Sequence, residues 1–516
     1  MDEKQKVTRA AGVIGLATLL SRILGFIRDM IIAWFFGAGR LSDAFFVAFR
    51  IPNLLRRLFA EGTLSMAFVP VFTRYLTDSG RAEAFALARS AIRLLAAILV
   101  VVTIVGILTA PWIVKGVAPG FSGDKFELTV TLTRIMFPYI VCICLVALCM
   151  GILNALGHFA APALAPVFLN LAMIGAVLFI APLMQEPVMG LAIGVLIGGG
   201  LQLTLQLPFL LQKGIRVWEK APLLHPGLAR VARLMGPAVF GAAVYQVNIL
   251  IGTLLASLLA EGSVSYLYYA DRVVQFPLGI FAISMSVALL PSLSRQAAAE
   301  DFTALADTFA YAMNMVFFIT IPAMVGLIVL REPIVGLLFH RGAFEIESLQ
   351  ATGFALFHYS VGLWAFSAVR IVVSTFYALQ DTKTPVKMAT YSIIANIGLG
   401  VILMGPLSHG GLALATSLAS MINFVLLTGV LHYRLGGLHW KKIIVSTGKT
   451  VIIASAMGVV LLGWMAFLPL DAAGPARVLF AELAAAIFAG VLVYGACAWL
   501  LHRSALYALI SMVKRS

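Results

Sequence analysis

Long apolar stretches recur from one end of the chain to the other, and they restrict its fold more than any other feature. A transmembrane helix needs about 20 mostly apolar residues, and a soluble protein cannot bury so many stretches of that length. Of the 516 residues, 61% are hydrophobic and only 11% are charged, against about 25% charged in soluble domains. The excess apolar surface must face lipid, so the sequence predicts an all-α polytopic membrane protein.

Fourteen segments meet the length requirement when Gly, Pro and charge clusters are taken as breaks. They are residues 11–36, 43–76, 88–114, 128–154, 160–184, 187–212, 230–259, 264–294, 303–330, 346–379, 385–405, 409–431, 446–467 and 478–501. An even number of spans leaves both termini on one side of the membrane. That side carries 22 Lys and Arg residues and the other side carries 6, so the positive-inside rule predicts cytoplasmic termini.

The chain repeats itself at a constant offset. Three positions match three others 223 residues later: Ala155, Pro162 and Gly175 correspond to Ala378, Pro385 and Gly398. Six helices per repeat give both halves the same topology, related by a pseudo-two-fold axis along the membrane normal. We therefore expect an N-terminal lobe at 1–228, a C-terminal lobe at 229–435, and two extra helices at 436–516. This architecture places a substrate site between the lobes, near the bilayer midplane.

Charge and cysteine usage exclude several classes of function. The net charge of +14 is spread over short loops, whereas a nucleic-acid binder concentrates it in a basic domain with interleaved aromatics. All four cysteines lie in apolar runs, and no histidine stands at ligand spacing from them, so we expect no metal site and no other cofactor. Because the scattered acids and histidines form no cluster, we predict no catalytic residues.

Eight basic residues lie more than five positions inside the ends of the predicted spans, and every one of them is arginine. They are Arg22, Arg28, Arg50, Arg56, Arg57, Arg134, Arg272 and Arg370. One arginine at a helix centre costs roughly 2.5–3.5 kcal/mol to insert. The in-span acids that could pair with them are Asp29, Asp43, Glu61 and Asp271. The remaining arginines must line a water-filled cavity or bind an anion, and a guanidinium favours phosphate because it binds bidentately and stays charged.

The spacing of four charged residues in the second predicted span indicates a polar helical face. Its members, spaced 7, 7 and 4 residues apart, are Asp43, Arg50, Arg57 and Glu61. Such spacings bring side chains to one side of a helix. An i,i+4 ion pair explains Arg57 and Glu61 equally well, so the spacing predicts the face without deciding its purpose.

A structural role competes with a functional one for each arginine. We favour a functional role for Arg22, Arg28 and Arg272, since an intramembrane charge marks a transport pathway by default. Arg134 lies about two turns from the outer end of its helix and is expected to reach water by snorkelling. Arg370 is compatible with either role.

Five stretches of sequence resemble the MurJ/MviN family of lipid II flippases. They are residues 21–29 (SRILGFIRD), 43–49 (DAFFVAF), 52–62 (PNLLRRLFAEG), 268–272 (YYADR) and 380–386 (QDTKTPV). The resemblance extends over essentially the whole chain, and the N-terminal stretches are long enough to be specific.

This resemblance implies two six-helix lobes plus two extra helices, the fold of the multidrug/oligosaccharidyl-lipid/polysaccharide exporter superfamily. It implies a transporter that flips lipid II, an undecaprenyl-pyrophosphate-linked muropeptide, from the inner to the outer leaflet of the bacterial cytoplasmic membrane by alternating access. The expected partners are lipid II, membrane lipids and peptidoglycan-synthesis proteins. Family residues important for transport fall on Arg22, Arg28, Asp43, Arg56 and Arg272, and Ser265 matches a cavity-lining serine.

The full predicted site joins these residues to their charged neighbours. It comprises Arg22, Arg28, Asp29, Asp43, Arg50, Arg56, Arg57, Glu61, Ser265, Asp271 and Arg272. The two extra helices, nearly free of charge, are expected to form a groove for the isoprenoid tail. Gln275 stands where close relatives often carry an acid, so we assign no ion coupling to that position. Three rival interpretations are a flippase for another polyprenyl-linked oligosaccharide, a drug or cation exporter of the same superfamily, and a membrane enzyme that processes polyprenyl phosphates.

Overall fold

The computed structural model describes residues 3–59, 64–220 and 222–515. The regular elements in these ranges are helical throughout, which confirms the predicted all-α class. The first nine α-helices are α1 (Glu3–Phe36), α2 (Arg40–Phe59), α3 (Ser65–Asp78), α4 (Gly80–Val117), α5 (Gly123–Met136), α6 (Tyr139–Ala155), α7 (Ala160–Gly175), α8 (Pro187–Gln212) and α9 (Pro226–Ser257). The other ten are α10 (Ser263–Pro277), α11 (Ile283–Ala298), α12 (Phe302–Val329), α13 (Arg331–Phe339), α14 (Ile346–Ser360), α15 (Leu363–Ala378), α16 (Lys383–Leu435), α17 (Trp440–Phe467), α18 (Ala476–Leu501) and α19 (Arg503–Arg515).

Many of the predicted spans occur as long apolar helical stretches. Within the described ranges, nine such stretches are long and apolar enough to cross a membrane, or ten if α14 and α15, bent by 44°, form one broken span. Three of the nine join consecutive elements: α5 with α6, α7 with the short turns up to Leu183, and α10 with α11. The longest of the nine, α16, is divided by Ser408, whose φ of 49° and ψ of −132° are not helical. Its two legs coincide with the predicted segments 385–405 and 409–431.

Other predicted spans are interrupted where proline breaks the hydrogen-bond ladder. Pro138 stands between α5 and α6, and Pro277 ends α10 before a π-helical turn at Leu278–Ala282. Proline has no N–H and its ring clashes with the preceding turn. In a membrane, the carbonyls freed in this way must find partners inside the protein, because hydrocarbon offers none.

The helices separate into two compact units, residues 1–264 and 265–516. In the first unit, α7 packs against α1 and α8, and α9 packs against α2, α3 and α4. In the second unit, α12, α15 and α16 enclose a core that includes Phe309, Phe376 and Leu427. The lobe limits proposed from the repeat, at 228 and 435, stay predictions.

The repeat is visible in the way that α6 and α15 end. Just after these helices, Gly157 and Gln380 adopt positive φ angles of 75° and 57°. The N–H groups of His158 and Asp381 then return to carbonyls five residues earlier, at 2.8 and 2.9 Å. This closure is the Schellman motif, and it occurs at positions 223 residues apart.

A short polar cluster starts α16. Thr384 before Pro385 is a sequence signature of a helix start, but the capping side chain is Asp381. Its Oδ1 accepts from the N–H groups of Lys383 and Thr384, both at 3.0 Å, and its Oδ2 pairs with Arg434 at 2.5 Å. Burial alone would raise the pKa of Asp381, but these hydrogen bonds and the ion pair hold the pKa below its usual value.

Gly411 allows the two legs of α16 to meet just after the kink. A Cβ on this residue would lie 2.1 Å from the carbonyl oxygen of Leu403, whereas a Cβ on Gly398 would meet nothing within 4 Å. The backbone of Leu403 cannot move away from such a Cβ as easily as the end of a flexible side chain could. Glycine is therefore required at position 411 for steric reasons.

We predict that Gly411→Ala destabilises the protein and that Gly398→Ala does not. The first change forces the legs apart, at a cost of about 1–3 kcal/mol for overpacking, and the second adds a methyl group in open space. The melting temperature of each purified variant in detergent measures the difference. Equal melting temperatures would contradict the close approach.

Candidate functional site

Arg28 of α1 is buried and already bonded to side chains of α1 and α7. Its Nε and Nη2 donate to Asp29 Oδ1 at 3.0 and 2.7 Å, and its Nη1 donates to Oδ1 of Asn170 on α7 at 3.0 Å. Asn170 in turn donates to the carbonyl of Ser21 at 3.1 Å. Arg28 and Asp29 are 8% and 2% exposed. This neutral network joins α1 to α7, so Arg28 has a structural role in addition to any contact with a ligand.

Arg22 lies on the same helix in a different environment. Its side chain is exposed, and no described residue forms a hydrogen bond or ion pair with it. The neighbouring Ile23 is also exposed, at 50%. An exposed guanidinium in an apolar helix keeps all five N–H donors available for an anion. Arg22 and Arg28 are the two α1 arginines of the predicted site. Of the two, Arg22 is the one whose N–H donors have no partner among the described residues.

Asp43 at the start of α2 holds three segments of the first unit together. Its Oδ2 accepts from Lys125 Nζ of α5 at 2.7 Å and from the N–H of Gly262 at 2.8 Å. Its side chain is 2% exposed and that of Lys125 is 14% exposed. A buried carboxylate with these donors is an anchor for the structure.

Lys125 was not among the sequence-derived site residues. The sequence predicts a loop outside the membrane at this position, whereas the structure places Lys125 in the first turn of α5. Nothing in its local sequence pattern distinguishes it. A second link lies nearby, since Glu261 accepts from the N–H of Arg40 at 2.8 Å. Arg40 also pairs with Glu186 at 3.3 Å.

The remaining predicted residues of α2 lie along one continuous helix, so Asp43, Arg50 and Arg57 do share a face. Arg50 donates to the hydroxyl of Thr253 on α9. Arg56 donates through Nε to Asn53 at 2.8 Å. Glu61 lies outside the described residues.

In the second unit, Arg272 of α10 is placed against an aromatic ring. Its Nη2 donates to the hydroxyl of Tyr268 at 2.9 Å, and its guanidinium carbon lies 4.8 Å from the centre of the Tyr268 ring. Asp271 accepts a hydrogen bond from Gln275. Ser265 is fully buried. Tyr268 therefore orients Arg272, and the two side chains meet because they lie four residues apart on the same helix.

The aromatic residues beside Arg272 do not form one surface. Tyr269 is fully buried against Phe339 and Phe344, whereas Tyr266 packs against His409 with the ring centres 5.3 Å apart. Of these tyrosines, Tyr268 contacts the arginine.

The two arginines left out of the predicted site are both exposed. Arg134 makes a long hydrogen bond from Nε to the carbonyl of Ile107, at 3.4 Å, and Arg370 has no hydrogen bond or ion pair with a described residue. Because α5 begins at Gly123, Arg134 lies about three turns from that end and not two, and its snorkelling stays a prediction. No group of three or more His, Cys, Asp and Glu side chains among the described residues has a metal-binding arrangement.

Comparison with known proteins gives a consistent result. The family model described as lipid II flippase MurJ matches residues 32–471. The probable lipid II flippase MurJ of Vibrio cholerae is 40% identical over 456 residues, covering 87% of this chain and 86% of the relative. The lipid II flippase MurJ of Burkholderia cenocepacia is 38% identical over 469 residues, covering 87% and 89%.

Solved structures agree with these relatives. A lipid II flippase MurJ in an inward closed conformation is similar with a TM-score of 0.80 and 27% identity, covering 95% of this chain and 98% of that one. An inward-facing multidrug transporter of the MATE family has a TM-score of 0.70 at 17% identity, covering 80% and 94%. The second likeness shows a shared fold.

We predict that Asp43→Asn destabilises the protein far more than Asp78→Asn. The first change leaves the half-buried ammonium of Lys125 without its carboxylate, which costs about 3–5 kcal/mol for a buried pair. The second disrupts an exposed pair with Arg74, worth about 1 kcal/mol or less. Denaturation of the purified variants in detergent measures both losses. Similar losses would show that the Asp43 cluster does not anchor the fold.

Proposed function

The chain belongs to the MurJ family of lipid II flippases, and from this premise we propose that it moves lipid II from the inner to the outer leaflet of the cytoplasmic membrane. The observation that carries the proposal is 40% identity with the probable lipid II flippase MurJ of Vibrio cholerae across 87% of the chain. The protein is a multi-pass membrane transporter and supplies the precursor for peptidoglycan synthesis outside the cell.

The arginines supply the chemistry that such a substrate requires. A pyrophosphate carries negative charge and several acceptor oxygens, and guanidinium groups bind both strongly. Arg22 is the first proposed ligand because it is exposed and no described residue occupies its donors. Arg272 is the second, since Tyr268 orients it. We infer that Arg28 contributes mainly by holding α1 against α7 next to Arg22.

The other predicted site residues support these ligands. Asp29 fixes Arg28, and Asp43 fixes the start of α2. Arg50, Arg56 and Arg57 add positive charge along α2. Ser265, Asp271 and Glu61 complete the proposed set, with Asp271 bonded to Gln275.

Alternating access is the proposed mechanism. Transporters with this fold have been solved in inward-facing and outward-facing conformations. We propose that the arginines attract the pyrophosphate head group from the cytoplasmic side, while the isoprenoid tail stays in lipid. The uneven distribution of Lys and Arg supports cytoplasmic termini. Direct partners among peptidoglycan-synthesis proteins are a further expectation.

The tail is proposed to follow the two extra helices. Exposed apolar side chains occur along both, among them Ile452 and Val459 on α17 and Phe488 and Val491 on α18. Beyond Lys449 in α17 and Glu482 in α18, the central parts of these helices lack charge. Such a surface suits an isoprenoid chain because neither partner needs to lose hydrogen bonds with water.

The shared fold of multidrug exporters suggests another substrate class, and charge argues against it. A cationic drug requires acids in the binding site. Asp29 and Asp43 are each paired with a basic residue in this chain, whereas Arg22 is not paired with any described acid. The arginine excess favours an anionic substrate. Another polyprenyl-linked oligosaccharide would satisfy the same charges and differs only in the sugar.

We predict that Arg22→Lys lowers transport by roughly tenfold, equivalent to about 1.4 kcal/mol, and leaves the melting temperature unchanged. Lysine keeps the charge but cannot bind phosphate bidentately. Arg28→Lys should lower both transport and melting temperature, because one ammonium cannot replace three directed hydrogen bonds. Complementation of a depleted strain and thermal denaturation measure the two effects.

Arg134→Lys serves as the control for that pair, since Arg134 is exposed and outside the proposed site. It should support normal growth. Full activity of Arg22→Lys would overturn the bidentate role of Arg22, and an unchanged melting temperature of Arg28→Lys would overturn the structural role of Arg28.

The proposed substrate is tested by depletion followed by leaflet-specific measurement of lipid II. Loss of a flippase should accumulate lipid II in the inner leaflet, because synthesis continues while export stops. A strain rescued with the Arg134→Lys variant provides the matched control. An unchanged distribution between the leaflets on depletion would refute the function. Accumulation of a different polyprenyl-linked oligosaccharide would favour the alternative substrate.

A further inference from the structure

The connection between α8 and α9, residues 213–220 and 222–225, is fixed to α4 by polar contacts. Arg89 pairs with Glu219 at 2.7 Å. Arg93 donates through Nη2 to the carbonyls of Val217, Trp218 and Glu219 at 3.4, 3.2 and 2.5 Å. A loop with this many bonds to one helix has a defined position. We call it the α8–α9 strap.

The far end of the strap is fixed by His225, whose side chain is 2% exposed. Its Nδ1 accepts from the N–H of Gly227 at 3.0 Å, and its Nε2 lies 2.9 Å from Glu83 Oε1. Because Nδ1 accepts, Nε2 carries the hydrogen and donates to the carboxylate. Both ends of the strap are therefore attached to the same stretch of α4.

This attachment sets the depth of the strap in the membrane. The predicted span of α4 begins at residue 88, so Arg93 lies about 7 Å inside that limit at 1.5 Å per residue. Farther along α4, Ile98 and Val101 are 50% and 61% exposed, as expected of side chains facing lipid. We therefore expect the strap backbone that bonds to Arg93 at the level of the boundary between lipid headgroups and hydrocarbon.

The strap displays apolar side chains at this level. Trp218, Leu223 and Leu224 are 69%, 54% and 74% exposed. Tryptophan is enriched at the headgroup boundary because its ring is apolar and its N–H is polar. The exposed side chains of Leu223 and Leu224 are more stable in contact with lipid than in contact with water.

Basic side chains surround the apolar ones. Lys213, Arg216, Lys220, Arg230 and Arg233 are all exposed. Arg216 forms an ion pair with Glu219 at 3.5 Å, in addition to the pair between Glu219 and Arg89. By contrast, Lys220, Arg230 and Arg233 have no ion pair with a described residue. The sequence predicts that this connection faces the cytoplasm, where membrane surfaces carry anionic lipids that attract such residues.

We propose that the α8–α9 strap is a binding surface for anionic phospholipids of the cytoplasmic leaflet. Trp218, Leu223 and Leu224 enter the upper acyl region, and Lys220, Arg230 and Arg233 contact headgroup phosphates. The occupant is the membrane and not a soluble protein, because the strap is held at membrane depth and its basic residues flank the apolar ones. None of its residues belongs to the set of arginines proposed to bind the transported lipid.

Tryptophan fluorescence of the full-length protein in vesicles tests this surface. The difference between the parent protein and Trp218→Phe isolates the emission of Trp218. We expect that emission to be blue-shifted, quenched by brominated phosphatidylcholine, quenched more strongly by brominated phosphatidylglycerol, and protected from aqueous iodide. Quenching by iodide with no effect of either brominated lipid would overturn the proposal, and it is the result expected of a strap that binds a soluble partner.

Charge variants test the headgroup contacts separately. Lys220→Gln, Arg230→Gln and Arg233→Gln together should remove the preference for phosphatidylglycerol and retain quenching in phosphatidylcholine. The matched control removes three charges from the predicted outer side, with Lys115→Gln, Arg341→Gln and Arg477→Gln, and should keep the preference. A preference that survives in the first variant would refute the role of the basic residues. None of these measurements requires lipid II or transport.

Discussion

Hydrocarbon offers no hydrogen bonds and almost no screening of charge, and the arrangement of this protein follows from that constraint. A backbone in lipid must satisfy its own N–H and carbonyl groups, which selects helices. A charged side chain must find a partner in the protein, reach water or bind a ligand. The arginines of this chain have adopted different solutions. Arg28 is neutralised by Asp29, whereas Arg134 donates to the carbonyl of Ile107.

Whether a charged side chain has a partner in the protein indicates its role better than its residue type does. A paired charge stabilises the fold, and an unpaired one is available for a ligand. Asp43 and Lys125 form a buried pair that also holds the N–H of Gly262, so this carboxylate is occupied in the fold. Arg22 has no such partner among the residues that the structure describes. A buried pair without its partner is costly, whereas a guanidinium with no protein partner can bind an anion without breaking an existing ion pair. Transport of a pyrophosphate requires the second kind of residue.

The same constraint explains how the connections are built. The turn after α15 uses Asp381 to cap α16 and to bind Arg434. The α8–α9 strap uses Arg89, Arg93 and His225 to fix an otherwise irregular backbone. Irregular backbone has unpaired polar groups, and charged side chains from neighbouring helices satisfy them. Such bonds give connections a defined depth, which allows exposed apolar residues such as Trp218 to meet lipid.

Much of this protein is determined by its sequence alone. Segment length and apolarity were sufficient for the helical membrane fold, because the hydrophobic thickness of a bilayer sets the length of each span. The five sequence stretches that resemble the MurJ/MviN family were sufficient to identify that family. Tertiary structure decided how individual charges are used. Sequence spacing placed Arg22 and Arg28 on one helix, but the partner of Arg28 on α7 lies 142 residues away. Lys125 lies 82 residues from Asp43, and no local pattern joins them. Electrostatic pairing depends on distances of a few ångströms in space, and only the folded chain sets those distances.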